Sequence, residues 1–154
     1  ALARQFGIEG YPQPAGGCML TKAGFASKLR ELLSRYPQVG VREVEMLKWG
    51  RHFRLPAGGI CIIGRHRQDN DALEGLLAPS DAVLKSVHVP GPLGVIIGGR
   101  SPVEDLETAA ALVLAYSDLA VGEEGKVECR IEQEVRLLGG IKRHRSSFEA
   151  LMIL

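Results

Sequence analysis

The chain has 154 residues, of which 45% are hydrophobic and 24% are charged, and its formal net charge at pH 7 is +1. This length corresponds to one domain, or to one domain with part of another, and the composition excludes a disordered chain. The small net charge excludes a uniformly basic nucleic-acid-binding protein, so binding of phosphates must depend on local clusters of positive charge.

The first 50 residues divide into a linker and a helical segment. Residues 1–20 contain prolines and glycines around Cys18 and predict a linker or loop. Thr21 can cap the helix that follows, and Pro37 ends it. Its apolar residues recur at helical spacing: Phe25, Leu29, Leu32, Leu33 and Tyr36. A second, short helix is predicted from Val41 to Lys48.

From residue 51 onward the pattern changes to short strands. Residues 51–55 (RHFRL) and 59–65 (GICIIGR) predict two strands joined by a hairpin turn at Pro56-Ala57-Gly58-Gly59. Residues 66–77 predict a helix, and residues 82–87 and 93–98 predict two more strands.

The strongest helix signal begins at Ser101-Pro102-Val103-Glu104. A capping Ser, Pro at the first helical position and Glu three residues after the Ser form a capping box. We expect this helix to run to about Val121, to end at Gly122 and to be roughly 30 Å long.

Residues 126–137 alternate apolar with charged side chains and predict one strand with a dry and a wet face, followed by a turn at Gly139-Gly140. The whole pattern predicts an α+β fold, in which an antiparallel sheet is packed by one long helix and preceded by two N-terminal helices. The predicted divisions are 1–20, 21–50 and 51–154.

The three cysteines, Cys18, Cys61 and Cys129, are far apart and odd in number, which favours a reducing compartment over a disulfide framework. No membrane span or signal peptide is visible, so we predict a cytoplasmic protein. Because the chain starts without Met, we expect a piece of a longer polypeptide, although a removed tag would explain the start equally well.

Basic residues are clustered in loops and near strand ends. The groups are Arg51, His52 and Arg54; Arg65, His66 and Arg67; Lys85, His88 and Arg100; and Lys142, Arg143, His144 and Arg145. Such clusters indicate either a positive patch for phosphates or solvated surface charges. Aromatic residues make up only 5% of the chain, so recognition of an RNA backbone is favoured over base stacking.

Cys18 follows Gly16-Gly17, whose amide groups can favour a thiolate for sulfur transfer or cluster ligation. A structural cysteine is the alternative, and Cys61 and Cys129 lie on apolar strand faces, as core residues do. We predict no metal site from this chain alone. It lacks the phosphate loop, nucleophile elbow and zinc motifs of common enzymes, so we do not expect it to catalyse a reaction by itself.

An ordered series of motifs between about residues 51 and 137 resembles the RNA-binding module NFACT-R, which also occurs in ribosome-associated quality-control factors. The matching motifs are Phe53-Arg54, Ile62-Ile63-Gly64-Arg65, residues 68–73 (QDNDAL), residues 88–92 (HVPGP), Val95-Ile96-Ile97 and residues 109–117. The resemblance implies an RNA-binding domain.

Residues 11–21 (YPQPAGGCMLT) resemble the exit from the PP-loop ATPase domain of bacterial tRNA thiouridine synthases that end in a variant of this module. Such enzymes adenylate a uridine with ATP, and their cysteines deliver sulfur directly or hold an iron–sulfur cluster. The resemblance implies that Cys18 belongs to that catalytic set. It also implies an upstream PP-loop domain, tRNA and a sulfur-donor protein as partners, with no cofactor in this part.

We therefore predict the tRNA-binding domain of a tRNA-thiolating enzyme. We expect contacts with RNA from Arg51, Arg54, Arg65, Arg67, Asn70, Lys85, His88 and Arg100, with Asn70 orienting a loop or meeting a sugar. Lys85 and His88 would present cations beside the rigid Pro90-Gly91-Pro92 corner. Two alternatives are a protein-docking or homodimerisation module without RNA contact, and a fragment that completes an active site through Cys18.

Overall fold

A computed structural model describes residues 23–98 and 102–154. Within these ranges, eleven elements follow one another in chain order. They are α1 (Ala23–Arg35), α2 (Val41–Met46), β1 (Arg51–Arg54), β2 (Ile60–Ile63), α3 (Arg67–Leu76), β3 (Ala82–Ser86), β4 (Gly94–Ile96), α4 (Val103–Ala115), β5 (Glu124–Ile131), β6 (Glu134–Ile141) and a 3₁₀ helix (Arg145–Leu151).

The six strands form one sheet in the order β1-β2-β4-β3-β5-β6, and every neighbouring pair is antiparallel. The prediction of an α+β fold, with an antiparallel sheet, a packed helix and two preceding helices, is confirmed. The turn predicted at residues 56–59 joins β1 to β2, and α3 lies where the sequence predicted a helix. None of the helices in the two described ranges is long and apolar enough to cross a membrane.

Two apolar clusters cover the two faces of this sheet. On one face, α4 packs through Leu106 and Val113 against Phe53 and Leu84. On the other face, Leu32 of α1 and Leu73 of α3 belong to a cluster with Ile62 and Val95. The expectation that one face of the sheet is exposed to solvent therefore holds only at β5 and β6. The continuous apolar run of β2, which is buried at all four residues, reflects burial on both faces.

Gly94 allows α4 to approach the middle of the sheet closely. A Cβ atom added at this glycine would lie 2.7 Å from Cγ2 of Val113, which is closer than carbon atoms can pack. Glycine in a strand interior often marks such a close approach. The absence of a side chain at Gly94 therefore allows α4 to pack directly against the short central strand β4.

Residues 126–137 do not form the single strand that their alternation predicted. They belong to two strands, β5 and β6, joined by a tight turn at Glu132 and Gln133. A two-residue turn preserves the alternation of side chains, so the periodicity continues through it. Glu132 has a φ of 56°, a conformation usually left to Gly or Asn, and so carries no turn signal. Gly139 and Gly140, predicted as a turn, lie within β6.

The long helix is also shorter than predicted, because α4 ends at Ala115 rather than near Val121. The Ser117 hydroxyl donates a hydrogen bond to the Leu114 carbonyl (2.7 Å) and accepts one from the Leu119 amide (3.3 Å). These bonds satisfy the end of the helix locally. Gly122, with a φ of 95°, lies instead in the turn before β5. The predicted caps Ser101 and Thr21 lie outside the described residues.

Candidate nucleic-acid interface

A polar groove lies at the end of the sheet where β1 and β4 begin and β2 and β3 end. Its volume is about 280 Å³. We call it the end groove, and its lining consists of Arg51, Gly64, Arg65, His66, Asn70, Pro90, Gly91, Pro92, Tyr116, Asp118 and Arg145. Antiparallel pairing brings these strand ends together, so residues that are distant in sequence lie on one surface.

Tyr116, the residue after α4, is the centre of the basic part of the end groove. The guanidinium carbon of Arg51 lies 4.8 Å from the centroid of the Tyr116 ring, and that of Arg145 lies 4.7 Å from it. The ring also packs against Phe53 at a centroid distance of 6.1 Å. These cation–π contacts hold two positive charges against the same ring.

Arg65 is positioned by Asp69 in the first turn of α3. Its Nε donates to Asp69 Oδ2 at 2.8 Å, and its backbone amide donates to the same oxygen at 3.0 Å. Burial alone would raise the pKa of the Asp69 carboxyl, but the hydrogen bonds from Arg65 outweigh burial and lower this pKa. The Arg65 side chain remains 45% exposed, so it can also meet a ligand.

Asn70 and Gly64 fix the Pro90-Gly91-Pro92 corner to the rest of the end groove. The Asn70 side-chain oxygen accepts a hydrogen bond from the Leu93 amide (3.2 Å), and the Gly64 amide donates to the Leu93 carbonyl (3.0 Å). On the other side, the Asp118 amide donates to the Pro90 carbonyl (2.9 Å). The corner is therefore a rigid wall that connects α3 to the end of α4.

The electrostatics of the end groove are positive. Its lining contains the guanidinium groups of Arg51, Arg65 and Arg145 and one carboxylate, that of Asp118. The buried Asp69 neutralises Arg65, whereas in the described part of the chain neither Arg51 nor Arg145 forms an ion pair. Nearby Lys28 of α1 has a lowered pKa, first because it is half-buried and then because of the positive charge of Arg65.

Arg54 and Arg67, which were predicted to bind RNA, lie outside the end groove. Arg54 is three residues beyond Arg51 in β1, so its side chain lies on the opposite face of the sheet. There its Nε donates to Glu31 of α1 at 2.6 Å. Arg67 is 94% exposed and faces Asp71 at 3.9 Å.

Lys85 and His88 also lie away from the end groove, although the Pro-Gly-Pro corner that follows them forms its wall. Lys85 lies 3.4 Å from Glu74 and lines a separate depression with several acidic residues. His88 has a φ of 69° and lines a third depression with Lys126 and Gly139. The structure thus brings together only Arg51, Arg65 and Asn70 of the predicted residues it describes.

The remaining predicted site residues, Arg100 and Cys18, lie outside the described residues. The two other cysteines, Cys61 and Cys129, are buried strand residues, as predicted, and burial raises the pKa of both thiols. Within residues 23–98 and 102–154, no group of three or more His, Cys, Asp and Glu side chains could hold a metal ion. The described part therefore does not fit an iron–sulfur cluster.

His66, Tyr116 and Arg145 line the end groove but were not among the predicted site residues. His66 and Arg145 belong to basic clusters that the sequence does show, whereas Tyr116 follows a helix whose predicted end was too late. An aromatic residue at the true end of α4, six residues before Gly122, carries no separate signal in the sequence.

Comparison with known proteins identifies the family of the chain. Residues 50–141, more than half of the chain, match the family described as the NFACT protein RNA binding domain. No curated protein matches the chain.

Among solved structures, the C-terminal part of the fibronectin/fibrinogen-binding protein from Streptococcus suis is similar. The TM-score is 0.61 with 17% sequence identity, over 88% of this chain and 64% of that chain. At this identity the likeness is one of fold, and the chain spans less than two thirds of that protein's solved part. By the family match, the chain belongs to the NFACT RNA-binding domains, and RNA is its class of partner.

Proposed function

We propose that the chain binds RNA through the end groove, with Arg51, Arg65 and Arg145 contacting backbone phosphates. The observation that carries this proposal is the stacking of Arg51 and Arg145 on Tyr116. Both guanidinium groups lie against one ring, and neither is neutralised by a carboxylate in the described residues. RNA phosphates bound in the groove would neutralise these charges and accept charge-assisted hydrogen bonds from the guanidinium groups.

The groove favours the backbone of a single strand or loop over stacked bases. Tyr116 is already in contact with two guanidinium groups, so its ring is occupied in this arrangement. A cavity of about 280 Å³ accommodates a phosphate and part of a sugar but not a duplex. Asn70, held against Leu93, acts on RNA indirectly by orienting the Pro-Gly-Pro wall.

We further propose that the RNA is tRNA and that the domain presents it to a PP-loop catalytic domain of a tRNA-thiolating enzyme. Support for this finer assignment is the resemblance of residues 11–21 to the exit from a PP-loop domain. ATP, sulfur transfer and a sulfur-donor protein belong to that proposed parent enzyme. The end groove would hold the tRNA body while the modified uridine reaches the other domain.

Binding of a fluorescent tRNA, measured by anisotropy over a series of salt concentrations, tests the groove. We expect affinity to fall steeply with salt, and Arg51→Ala and Arg145→Ala each to reduce the salt slope by about one phosphate contact. Arg67→Ala is the matched control, because it removes the same charge from an exposed position outside the groove. Equal losses in all three variants would show that only total charge matters and would contradict the proposed site.

The tRNA assignment needs a separate experiment. RNA crosslinked to the chain in cells can be sequenced, and nucleosides from cells lacking the gene can be examined for thiouridine by mass spectrometry. We expect tRNA to be enriched and one thiouridine to be lost. Enrichment of another RNA class with thiouridine unchanged would overturn the tRNA-thiolating role and leave the RNA-binding groove intact.

A further inference from the structure

The outer edge of β6 is a long, apolar and unpaired strand edge in the described part of the chain. β6 is the last strand in the sheet order, and Val135, Leu137 and Ile141 are 51%, 62% and 56% exposed. Proteins usually protect edge strands by making them short, charged or covered. β6 has eight residues and a single internal cation, Arg136.

The opposite edge of the sheet is covered. Phe53 of β1 forms a bridge with Met152, and the Ile153 amide donates to the His52 carbonyl at 2.8 Å. The C-terminal segment thus lies along β1, whereas no described segment does the same for β6. Of the two edges of the sheet, the β1 edge is therefore covered, and the β6 edge is left open by the described residues.

The backbone of β6 has its free hydrogen-bonding groups at the exposed apolar positions. The Lys142 amide donates to the Glu123 carbonyl, and alternate residues in an antiparallel ladder turn the same way. Even-numbered residues such as Leu138 and Gly140 therefore hydrogen-bond to β5. The N–H and C=O groups of Val135, Leu137, Gly139 and Ile141 point away from the sheet.

We propose that β6 pairs antiparallel with β6 of a second copy of this chain, so that two sheets form one continuous sheet. The register places Leu138 opposite the partner's Leu138. Val135 then faces the partner's Ile141, Leu137 faces the partner's Gly139, and Glu134 faces the partner's Lys142. Apolar residues meet apolar residues or glycine, which stabilises cross-strand pairs. At the ends, opposite charges come together, although Glu134 already pairs with Arg136 and the Lys142 ammonium group donates to the Ser117 carbonyl.

Neighbouring registers fit less well. Only registers that differ by two residues keep the outward-facing groups hydrogen-bonded. A shift in one direction places Arg136 opposite the partner's Lys142, which is a repulsive pair. A shift in the other direction places Ile141 opposite the partner's Gln133, in the turn before β6. The proposed register pairs the whole of β6 and so makes a second copy the best occupant of this edge.

Crosslinking tests the register directly. In a background with Cys18→Ser and Cys129→Ala, Leu138→Cys places two thiols opposite each other in a non-hydrogen-bonded pair, a separation within the range of a disulfide. Oxidation should convert most of this variant to a covalent dimer. Arg136→Cys, which would face the partner's Gly140, is the matched control and should form no covalent dimer. Cys129 is replaced because it lies directly opposite Arg136 in the β5–β6 ladder, and Cys61 does not interfere because it is fully buried.

The mass of the full chain in solution is the second measurement. The unmodified chain should show a mass that rises with concentration from 16.6 kDa toward twice that value. Leu137→Pro removes one outward N–H group without touching the bonds to β5, and it should remain a folded monomer. A monomer at every concentration, or equal crosslinking at positions 136 and 138, would overturn the proposal. Retained tRNA affinity in Leu137→Pro would separate it from the RNA-binding groove.

Discussion

The guanidinium group of Arg51 lies over the ring of Tyr116, 4.8 Å from its centroid, where β1 begins and α4 has just ended. Arg145 occupies a similar position at 4.7 Å. The tyrosine thus positions two cations that have no carboxylate partners in the described residues. If these cations bind phosphate, the aromatic ring should matter for RNA affinity although it does not itself contact RNA.

We expect Tyr116→Phe to retain most of the affinity for RNA, because the phenyl ring still supports both guanidinium groups. Tyr116→Leu should weaken binding by about tenfold, since each lost cation–π contact is worth roughly 0.5–1 kcal/mol. Both affinities can be measured by anisotropy at one fixed salt concentration.

The control for this pair is the free energy of unfolding of each variant. If Tyr116→Leu and Tyr116→Phe bind RNA equally well while both remain folded, the ring has no part in positioning the cations. Because Tyr116 also packs against Phe53, a small loss of stability in the leucine variant is expected and does not decide the question.

A second prediction concerns the contact between Gly64 and Asn70. A Cβ atom added at Gly64 would collide with the Asn70 side-chain oxygen, which would then lose its hydrogen bond to the Leu93 amide. Gly64→Ala should therefore cost about 1–3 kcal/mol of stability, as overpacking does. Asn70→Ala alone should cost about 1 kcal/mol.

The two changes should not be additive. Once Asn70 has been shortened, an alanine at position 64 meets no oxygen, so its cost in that background should be smaller by about 1 kcal/mol. Urea denaturation of both single variants and the double variant measures this coupling. Additive losses would show that Asn70 does not depend on Gly64 for its position at the groove wall.

The sequence predicted the fold class and most elements because apolar periodicity carries that information locally. The hydrophobic spacing from Phe25 to Tyr36 and the turn at residues 56–59 both correspond to observed elements. The hairpin at Glu132 was missed for a physical reason: a two-residue turn does not change the alternation on either side, and its residues lack the usual turn chemistry.

The end groove is only partly visible in the sequence, because it depends on which strand ends meet. Arg51 and Arg54 are equivalent in a list of basic residues, yet their side chains lie on opposite faces of β1, and only Arg51 reaches Tyr116. Lys85 seemed close to the Pro-Gly-Pro corner along the chain, but its direction in β3 takes it toward Glu74. Strand alternation separates Arg51 from Arg54, but only tertiary packing determines which face meets Tyr116.

A third prediction concerns Asp81, whose buried carboxylate links three segments of the chain. It accepts hydrogen bonds from Arg42 of α2 (2.7 Å) and from the amide groups of Ala78 (2.9 Å) and Gly98 (3.0 Å). Asp81→Ala should cost about 3–4 kcal/mol, because the two amides lose their acceptor and Arg42 keeps only Glu43 and the Leu76 carbonyl as partners. Asp81→Asn should cost less, about 1–3 kcal/mol, since one oxygen remains.

The comparison variant for Asp81 is Asp71→Ala in α3, which removes a 73% exposed carboxylate. It should change stability by less than about 0.5 kcal/mol. Urea denaturation of the three variants provides the measurement. If Asp81→Ala were as mild as Asp71→Ala, the hydrogen bonds at Asp81 would not hold α2 against the sheet.

The last prediction is a pH dependence of stability that comes from His52. This side chain is fully buried, its Nε2 contacts the Trp49 carbonyl at 2.9 Å, and its Nδ1 has no hydrogen-bond partner among the described residues. Burial, together with the positive charge of Lys28, lowers the pKa of His52 from 6.5 to about 3. In the unfolded chain the imidazole is free to take a proton below pH 6.5, whereas in the folded chain it is not.

The free energy of unfolding is therefore not reduced by His52 above about pH 6.5, and it decreases as the pH falls from 6.5 toward 3. Between pH 6 and 5 the loss should approach 1.4 kcal/mol per pH unit. His52→Leu should abolish most of this slope, whatever the stability of the variant at pH 8. His88→Asn is the control and should keep the slope, because position 88 is exposed and asparagine tolerates the φ of 69° found there. Urea denaturation between pH 8 and 5 measures the slope of both variants. Glu31 and Asp69 do not obscure it, because their lowered carboxyl pKa values mean that they take up protons only at lower pH. An unchanged slope in His52→Leu would mean that the buried imidazole is not what makes the fold sensitive to acid.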